Sequence, residues 1–192
     1  MPTYEKETSQ PTLNTRRLCL RPFSTEDASR VEEYCGDHDV AATTANIPHP
    51  YPPGTGELWI LTLEPSFIAG NSAVFAITLQ SSGELVGACG LTHNRDHKRA
   101  ELGYWIGKVH WGEGYATEAA AAVIDWGFRA WNLNRIHAHH MSHNPASGRV
   151  MVNNSMKHEG ILRQHMVKWD QPVDVVCYAI LREEWAGRKP AE

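Results

Sequence analysis

The sequence predicts an α/β fold of the α+β type, one mixed sheet with helices packed on its faces. Three observations carry that expectation. The hydrophobic period switches between 2 and 3.6 along the chain, in the order β-α-α-β-β-β-α-β-α-β-β. The 192 residues, 42% hydrophobic and 21% charged, suit one domain with its own core, or at most two small ones. A glycine-bearing loop, Gly112-Glu113-Gly114, leads into a helix whose alanines let it pack close against a sheet.

Each element follows in order. Residues 1–11 are polar and read as an N-terminal tail. Leu13 to Pro22 reads as the first strand, because Leu18 and Leu20 alternate with Arg17, Cys19 and Arg21. Ser24 suits an N-cap, Glu26 and Asp27 make an acidic first turn, and Ala28, Val31, Tyr34 and Cys35 mark one face of a helix ending at Gly36. The proline-rich run from Asn46 to Gly54 cannot be regular, since proline removes donors and restricts its neighbours; it reads as a surface loop. A helix is expected from about Thr55 to Ala69, interrupted at Pro65.

Ala73 to Leu79 is a dense apolar run, as in a central strand, and Ser81-Ser82-Gly83 is a turn. Leu85 to Leu91 is the third strand and Ala100 to Ile106 the fourth, with a polar turn at Asp96-His97-Lys98 between them. After Gly114, Ala116, Ala119, Ala120, Val123, Ile124 and Phe128 fall at helical spacing. Arg135 to Met141 is the fifth strand. Asn144 as N-cap and Pro145 at the first helical position open another helix, running to about Lys157. Ile161 to Trp169 and Val173 to Leu181 form a hairpin turning at Asp170-Gln171-Pro172. The folded domain is expected over residues 12–186, with 187–192 as a C-terminal tail.

Charge and composition narrow the function. Lysine and arginine number 18 against 22 acidic residues, a net charge of −4. That argues against a broad phosphate-coating surface, and so against direct nucleic-acid binding, but leaves room for a small anion pocket of backbone amides. No apolar run approaches the ~20 residues that cross a bilayer, so no membrane partner is expected. Met1 to Lys6 lacks the pattern of a secretion signal. Cys19, Cys35, Cys89 and Cys177 lie far apart with no CxxC pair, which suggests reduced thiols in a cytoplasmic protein.

Three segments carry chemistry. Trp111-Gly112-Glu113-Gly114-Tyr115-Ala116-Thr117-Glu118-Ala119 joins a strand to a helix through glycines. The first amides of such a helix are unpaired and partly positive, a diphosphate cradle that needs no lysine. It is neither a Walker loop nor a dinucleotide fingerprint, and taken alone it is also an ordinary tight turn. Asn144-Pro145-Ala146-Ser147-Gly148-Arg149 is, by itself, a capped helix start. Glu101 shares a strand face with Gly103 and Trp105; a half-buried carboxylate beside an indole is a candidate general base, and a surface glutamate is the plainer reading.

Together, Glu101-Leu102-Gly103-Tyr104-Trp105-Ile106, WGEGYATEA, NPASGRVM and Met156-Lys157-His158-Glu159-Gly160 resemble the GNAT acetyltransferases. The closest likeness is to the ribosomal-protein N-terminal acetyltransferase-like (RimJ/RimL-type) branch. The opening TRRLCLRP and closing YAILREEW are similar to its first and last strands, so the resemblance covers about residues 12 to 186. It implies a single domain with a twisted, mostly antiparallel seven-stranded sheet, about four helices, and a splay between the fourth and fifth strands. It implies acetyl transfer from acetyl-CoA, without a metal, to a primary amine on a protein N-terminus or a small molecule. A homodimer is compatible with it.

Residue by residue, the resemblance places the pyrophosphate on Trp111, Gly112, Glu113, Gly114, Tyr115 and Ala116, with Thr117 following. The pantetheine arm falls along the backbone of Tyr104, Trp105 and Ile106 and against Asn144. Ser147 matches a serine near the thioester sulfur, and Glu101 a glutamate that serves as base. An amine is mostly protonated at neutral pH, so a proton acceptor is needed. A strand amide can polarise the carbonyl, and a hydroxyl at a helix start can donate to the leaving thiolate.

Two departures stand out: Trp111, where glutamine or arginine is common, and Ser155, where a glycine is common. Ser155 is expected to strain the helix end unless Asn154 takes the left-handed cap. His137 and His139 share a strand face, a spacing metals use, but no local Cys or carboxylate completes a ligand set. Trp59, Trp126, Trp131 and Trp169 read as core or interface. Tyr51 and its prolines are candidates for the acceptor pocket; Arg95, Lys98 and Arg99 for a solvated turn. The competing function is a CoA-binding sensor without catalysis, which Glu101, Asn144 and Ser147 argue against. A kinase-like reading lacks the P-loop lysine.

Overall fold

A computed structural model describes residues 9–186; residues 1–8 of the expected N-terminal tail and the whole of 187–192 lie outside the described residues. Strands form where apolar and polar residues alternate or apolar residues run unbroken. They are β1 (Leu13–Asn14), β2 (Leu18–Arg21), β3 (Ser72–Leu79), β4 (Leu85–Asn94), β5 (Arg99–Ile106), β6 (Arg135–Met141), β7 (Lys157–Lys168) and β8 (Gln171–Leu181). The helices are α1 (Ala28–Gly36), α2 (His38–Ala42), α3 (Thr55–Ala69), α4 (Tyr115–Ala130), α5 (Pro145–Asn153) and α6 (Arg182–Ala186).

Among the described residues eight strands replace the seven expected, because the first one folds back on itself. Leu13 lies opposite Leu20 and Asn14 opposite Cys19. The Thr15 amide donates to the Leu18 carbonyl at 2.9 Å, which closes the turn. The Arg17 amide goes to the Glu118 carboxylate at 2.8 Å instead of to a neighbouring strand. Six α-helices among the described residues replace the four or so expected. Helix α2 is too short to show a period and is held by its cap, the Asp37 carboxylate accepting from the Asp39 amide at 2.7 Å. Helix α6, likewise short, follows β8 directly.

Helix α3 runs unbroken through Pro65. The carbonyl that Pro65 cannot serve as i−4 donor belongs to Leu61, on the exposed flank of the helix, where the loss of one helical bond costs least. Helix α5 stops at Asn153 rather than near Lys157. Ser155, not Asn154, takes the left-handed conformation at φ 62°. The buried Asn154 stays right-handed and donates its amide to the Val150 carbonyl at 2.9 Å and to the Thr117 carbonyl at 3.2 Å, tying α5 to α4. The final hairpin turns one or two residues early, at Trp169 (φ 47°) and Asp170 (φ 62°); Gln171 and Pro172 already belong to β8.

The strand order is β1-β2-β3-β4-β5-β6-β8-β7. Every pairing is antiparallel except β5–β6, which is parallel because α4 crosses between them. One face packs on α4: Phe75, Leu91, Leu102 and Ile136 meet Ala120, Val123, Ile124 and Phe128. The other face packs on α1 and α3 through Val31, Cys35, Ile60, Ala76 and Leu85. Cysteines 19, 35, 89 and 177 are all free. No helix among the described residues is long and apolar enough to cross a membrane.

The parallel pair is what positions the site. Strands β5 and β6 pair only at Arg99–Arg135, Ala100–Ile136 and Glu101–His137. Beyond Glu101 they part, since β6 continues beside β8 while β5 stays with β4. From Leu102 onward the β5 edge that faces β6 has no strand partner.

Candidate active site

The loop from β5 to α4 begins with a single 3-10 turn at Lys108–His110. Gly112 (φ 86°) and Gly114 (φ 79°) then adopt left-handed conformations that L side chains resist. The first helical bond runs from the Glu118 amide to the Gly114 carbonyl at 3.1 Å, so the amides of Tyr115, Ala116 and Thr117 have no helical acceptor. A Cβ on Gly112 would meet nothing within 4 Å, and one on Gly114 only Arg17 Nη2 at 3.6 Å. Glu113 is exposed on the same loop. The expected cradle is therefore open and lined by donors.

Two residues shape it in ways the sequence spacing did not reveal. Trp111 donates its indole N–H to the Ile106 carbonyl at 2.7 Å, bracing the loop against the end of β5. Arg17, almost a hundred residues upstream, stacks on the Tyr115 ring at 4.8 Å and pairs with Glu118 at 2.7 Å. Thr15 adds a third hold on the same carboxylate at 2.6 Å. This clasp fixes the start of α4 against β2 and leaves a guanidinium beside Gly114.

The slot between β5 and β6 is bounded by the start of α5. Asn144 caps that helix, its carboxamide oxygen accepting from the Ser147 amide at 3.3 Å. Its Nδ2 donates to the Thr43 carbonyl at 3.2 Å, pinning the segment that follows α2. Tyr104, singled out from sequence for its backbone, contributes a side chain as well: its hydroxyl lies 2.8 Å from Ser147 Oγ and 3.0 Å from the Ser147 carbonyl. Burial pushes the Tyr104 phenol well up, so it stays protonated and can donate. Gly148 is required next to it, because a Cβ there would come within 2.8 Å of His140 Nε2.

Glu101 stands at the fork, on the last β5 residue that pairs with β6. It faces the cleft with Gly103 and Trp105, and its side chain is 45% exposed, so water is only partly removed from it. His139 Nδ1 approaches one carboxylate oxygen at 3.3 Å, and His137 Nε2 the other at 3.9 Å. Burial lowers the His137 pKa, with Glu101 opposing, so His137 is mainly neutral near pH 7. Its Nδ1 is buried without a partner among the described residues. No group of three or more His, Cys, Asp or Glu residues among those described is placed to hold a metal ion.

Glu101, Gly103, Tyr104, Trp105 and Ser147 line one cleft of about 440 Å³. Its far wall comes from the proline-rich loop and α3, through Ile47, Tyr51 and Trp59. Burial pushes the Tyr51 phenol up to about 12. Lys168 holds this wall from behind: only 8% exposed, it donates to the carbonyls of Thr44 at 2.9 Å and Ile47 at 3.0 Å. Among the other tryptophans, Trp126 is core, whereas Trp169 is 42% exposed at the hairpin tip. Arg95 turns away from the loop and donates to the carbonyls of Ala69 and Gly70, closing the end of α3.

The chain is similar to known proteins in both sequence and fold. A family model described as an acetyltransferase (GNAT) domain matches residues 17–157. The uncharacterized N-acetyltransferase p20 of Bacillus licheniformis is 33% identical over 92% of this chain and 99% of its own. An Escherichia coli [ribosomal protein uS5]-alanine N-acetyltransferase is 24% identical over 95% of this chain and 96% of its own. A crystal structure of a GNAT-family acetyltransferase from Bacillus anthracis superposes with a TM-score of 0.81 at 27% identity, covering 91% of this chain and 100% of that one. With the family model matched over residues 17–157 and a relative 33% identical along nearly its whole length, the chain belongs to the GNAT acetyltransferases, enzymes that transfer an acetyl group from acetyl-CoA to an amine.

Proposed function

We propose that this cleft acetylates a primary amine with Glu101 as the proton acceptor and Ser147 as the donor at the sulfur end. The observation that carries the reading is the place of Glu101: the slot opens at the next residue, and Glu101 and Ser147 line the same cleft. Acetyl-CoA, which supplies the activated acyl thioester, suits the residues present. Its diphosphate would be held by the open amides around Gly112, Glu113, Gly114, Tyr115, Ala116 and Thr117, with Trp111 bracing the loop. Its pantetheine arm would lie along Tyr104, Trp105 and Ile106, where Tyr104 and Ile106 turn their backbone groups away from β4 and the Ile106 carbonyl keeps a second lone pair beside the Trp111 bond. Asn144 keeps one amide proton and one lone pair for that arm.

The chain's own residues divide the proton work. A primary amine enters mostly as ammonium, and its proton must leave before nitrogen can attack. Glu101 accepts that proton, directly or through water, and the half-exposed His139 beside it offers a route to solvent. The free β5 amides can hydrogen-bond an oxygen that gains negative charge. The Tyr104 hydroxyl reaches both the Ser147 carbonyl and Ser147 Oγ; with its proton turned to Oγ, the serine proton is free to point at the departing sulfur. The acceptor amine belongs to a protein N-terminus, as the name of the E. coli relative suggests, or to a small molecule. The free cysteines fit a cytoplasmic setting.

Thiol release from acetyl-CoA tests the assignment. Glu101→Gln is expected to lower kcat on the order of 100-fold, most below neutral pH, where more amine arrives protonated. A Glu101→Gln enzyme with an unchanged pH–rate profile removes Glu101 from the reaction.

A further inference from the structure

The acceptor end of the cleft has its own chemistry. Across the sheet, Glu101 lies opposite Thr92, Gly103 opposite Gly90, and Trp105 opposite Ala88. These three rows share the cleft face. The middle row has no side chains on β4 or β5: a Cβ on Gly103 would meet nothing within 4 Å, while one on Gly90 would come within 2.8 Å of Val74, so Val74 of β3 bounds the open space over Gly103. The sheet therefore carries a trough with a polar rim at Glu101 and Thr92 and an apolar rim at Trp105. Opposite the apolar rim stand Ile47, Tyr51 and Trp59, the last packed edge-on against Phe23 at 5.0 Å.

Charge selects further. Among the residues lining the cleft, Glu101 is the one carboxylate, and there is no lysine or arginine. Behind the far wall stands Lys168, whose ammonium is held by the Thr44 and Ile47 carbonyls and has no ion-pair partner among the described residues. A second ammonium on the acceptor would enter an apolar wall backed by a like charge, with nothing to pair it. An acceptor carboxylate or phosphate would find no lysine or arginine in the cleft, only the imidazoles of His139, already beside Glu101, and His140, tied to the Met141 carbonyl.

We infer that the acceptor is a monoamine with an uncharged apolar group, aliphatic or aromatic, next to its reactive nitrogen, rather than a polyamine or an acidic amine. This rests on the reading of Glu101 above. The amine sits on the Glu101 side of the trough and the apolar group against Trp59, Tyr51 and Trp105. A peptide beginning with Phe, Leu or Met and the corresponding small amine, phenethylamine or isoamylamine, present the same chemistry.

The test measures kcat/KM by thiol release for four arms: peptides beginning with Phe, Leu or Met; phenethylamine and isoamylamine; spermidine and putrescine; and peptides beginning with Asp. At least one of the first two arms is expected to exceed both others tenfold or more, and the faster of the two identifies the source. Trp59→Ala should shrink that preference severalfold with KM for acetyl-CoA unchanged, and Trp59→Phe should keep it. Fastest turnover with polyamines or Asp peptides, or a preference that Trp59→Ala does not move, overturns the acceptor class and leaves the assignment of Glu101 standing. Undiminished activity of Glu101→Gln on the best amine overturns both.

Discussion

Ser147 illustrates how little a single residue's sequence context says about its work. In the first turn of α5 it is an ordinary helix-start serine, and only the fold brings the Tyr104 hydroxyl to within 2.8 Å of its Oγ. The two hydroxyls act as a unit, because the tyrosine's one proton decides where the serine's proton can point. Tyr104→Phe and Ser147→Ala are each expected to lower kcat about 10- to 100-fold, and the double variant should be no worse than the weaker single one. Fully multiplicative losses in that double-mutant cycle would mean that the hydroxyls work independently. Glu101 has the same character: its strand position was legible, while its two histidine neighbours come from β6.

Among the elements, the start of α4 carries the strongest conformational demand. A side chain at Gly114 must adopt φ near 79°, which costs about 1–2 kcal/mol for an L residue, and the adjoining amides shift with it. Gly83, in the turn between β3 and β4, has a similar φ of 76°, and a Cβ there would meet nothing within 4 Å, as one on Gly114 would meet only Arg17 Nη2 at 3.6 Å. Gly114→Ala and Gly83→Ala are therefore expected to lower Tm alike, by roughly 2–8 °C. Only Gly114→Ala should raise KM for acetyl-CoA, about tenfold or more; equal KM values for the two variants would detach the loop from coenzyme binding.

For the molecule as a whole, two carboxylates clamp the β1–β2 edge to the helices. Asp27 receives two hydrogen bonds from Arg21, at 2.7 and 2.8 Å, and Glu118 holds Thr15 and Arg17. Burial alone would raise both carboxyls, but their hydrogen bonds outweigh it and hold each below its ordinary value. A carboxyl lowered on folding adds stability that is complete above its unfolded pKa, about 4, and is lost as pH falls through its folded pKa. Calorimetry should show Tm falling below about pH 4. Asp27→Asn and Glu118→Gln are expected to lower Tm at pH 7 by roughly 2–4 °C and to flatten the acid limb. An acid limb of unchanged slope in both variants would place the lost stability elsewhere.

The sequence by itself determined the α/β class, most of the strands and the longer helices, since hydrophobic period, caps and turn residues act over a few neighbouring positions. It also marked Glu101, the Gly112–Gly114 loop and the Asn144–Ser147 helix start, which are local patterns in a recognisable order. It missed α2 and α6, too short to show a period, and the fold-back at Thr15, which depends on Glu118. Tertiary structure alone decided that Arg17 stacks beside the loop, that Tyr104 reaches Ser147, that His139 meets Glu101 and that Lys168 secures the far wall of the cleft. Those contacts join residues distant in the chain. They exist only because the parting of β5 from β6 and the closing of the sheet bring separate elements together, and no periodicity within one element encodes that meeting.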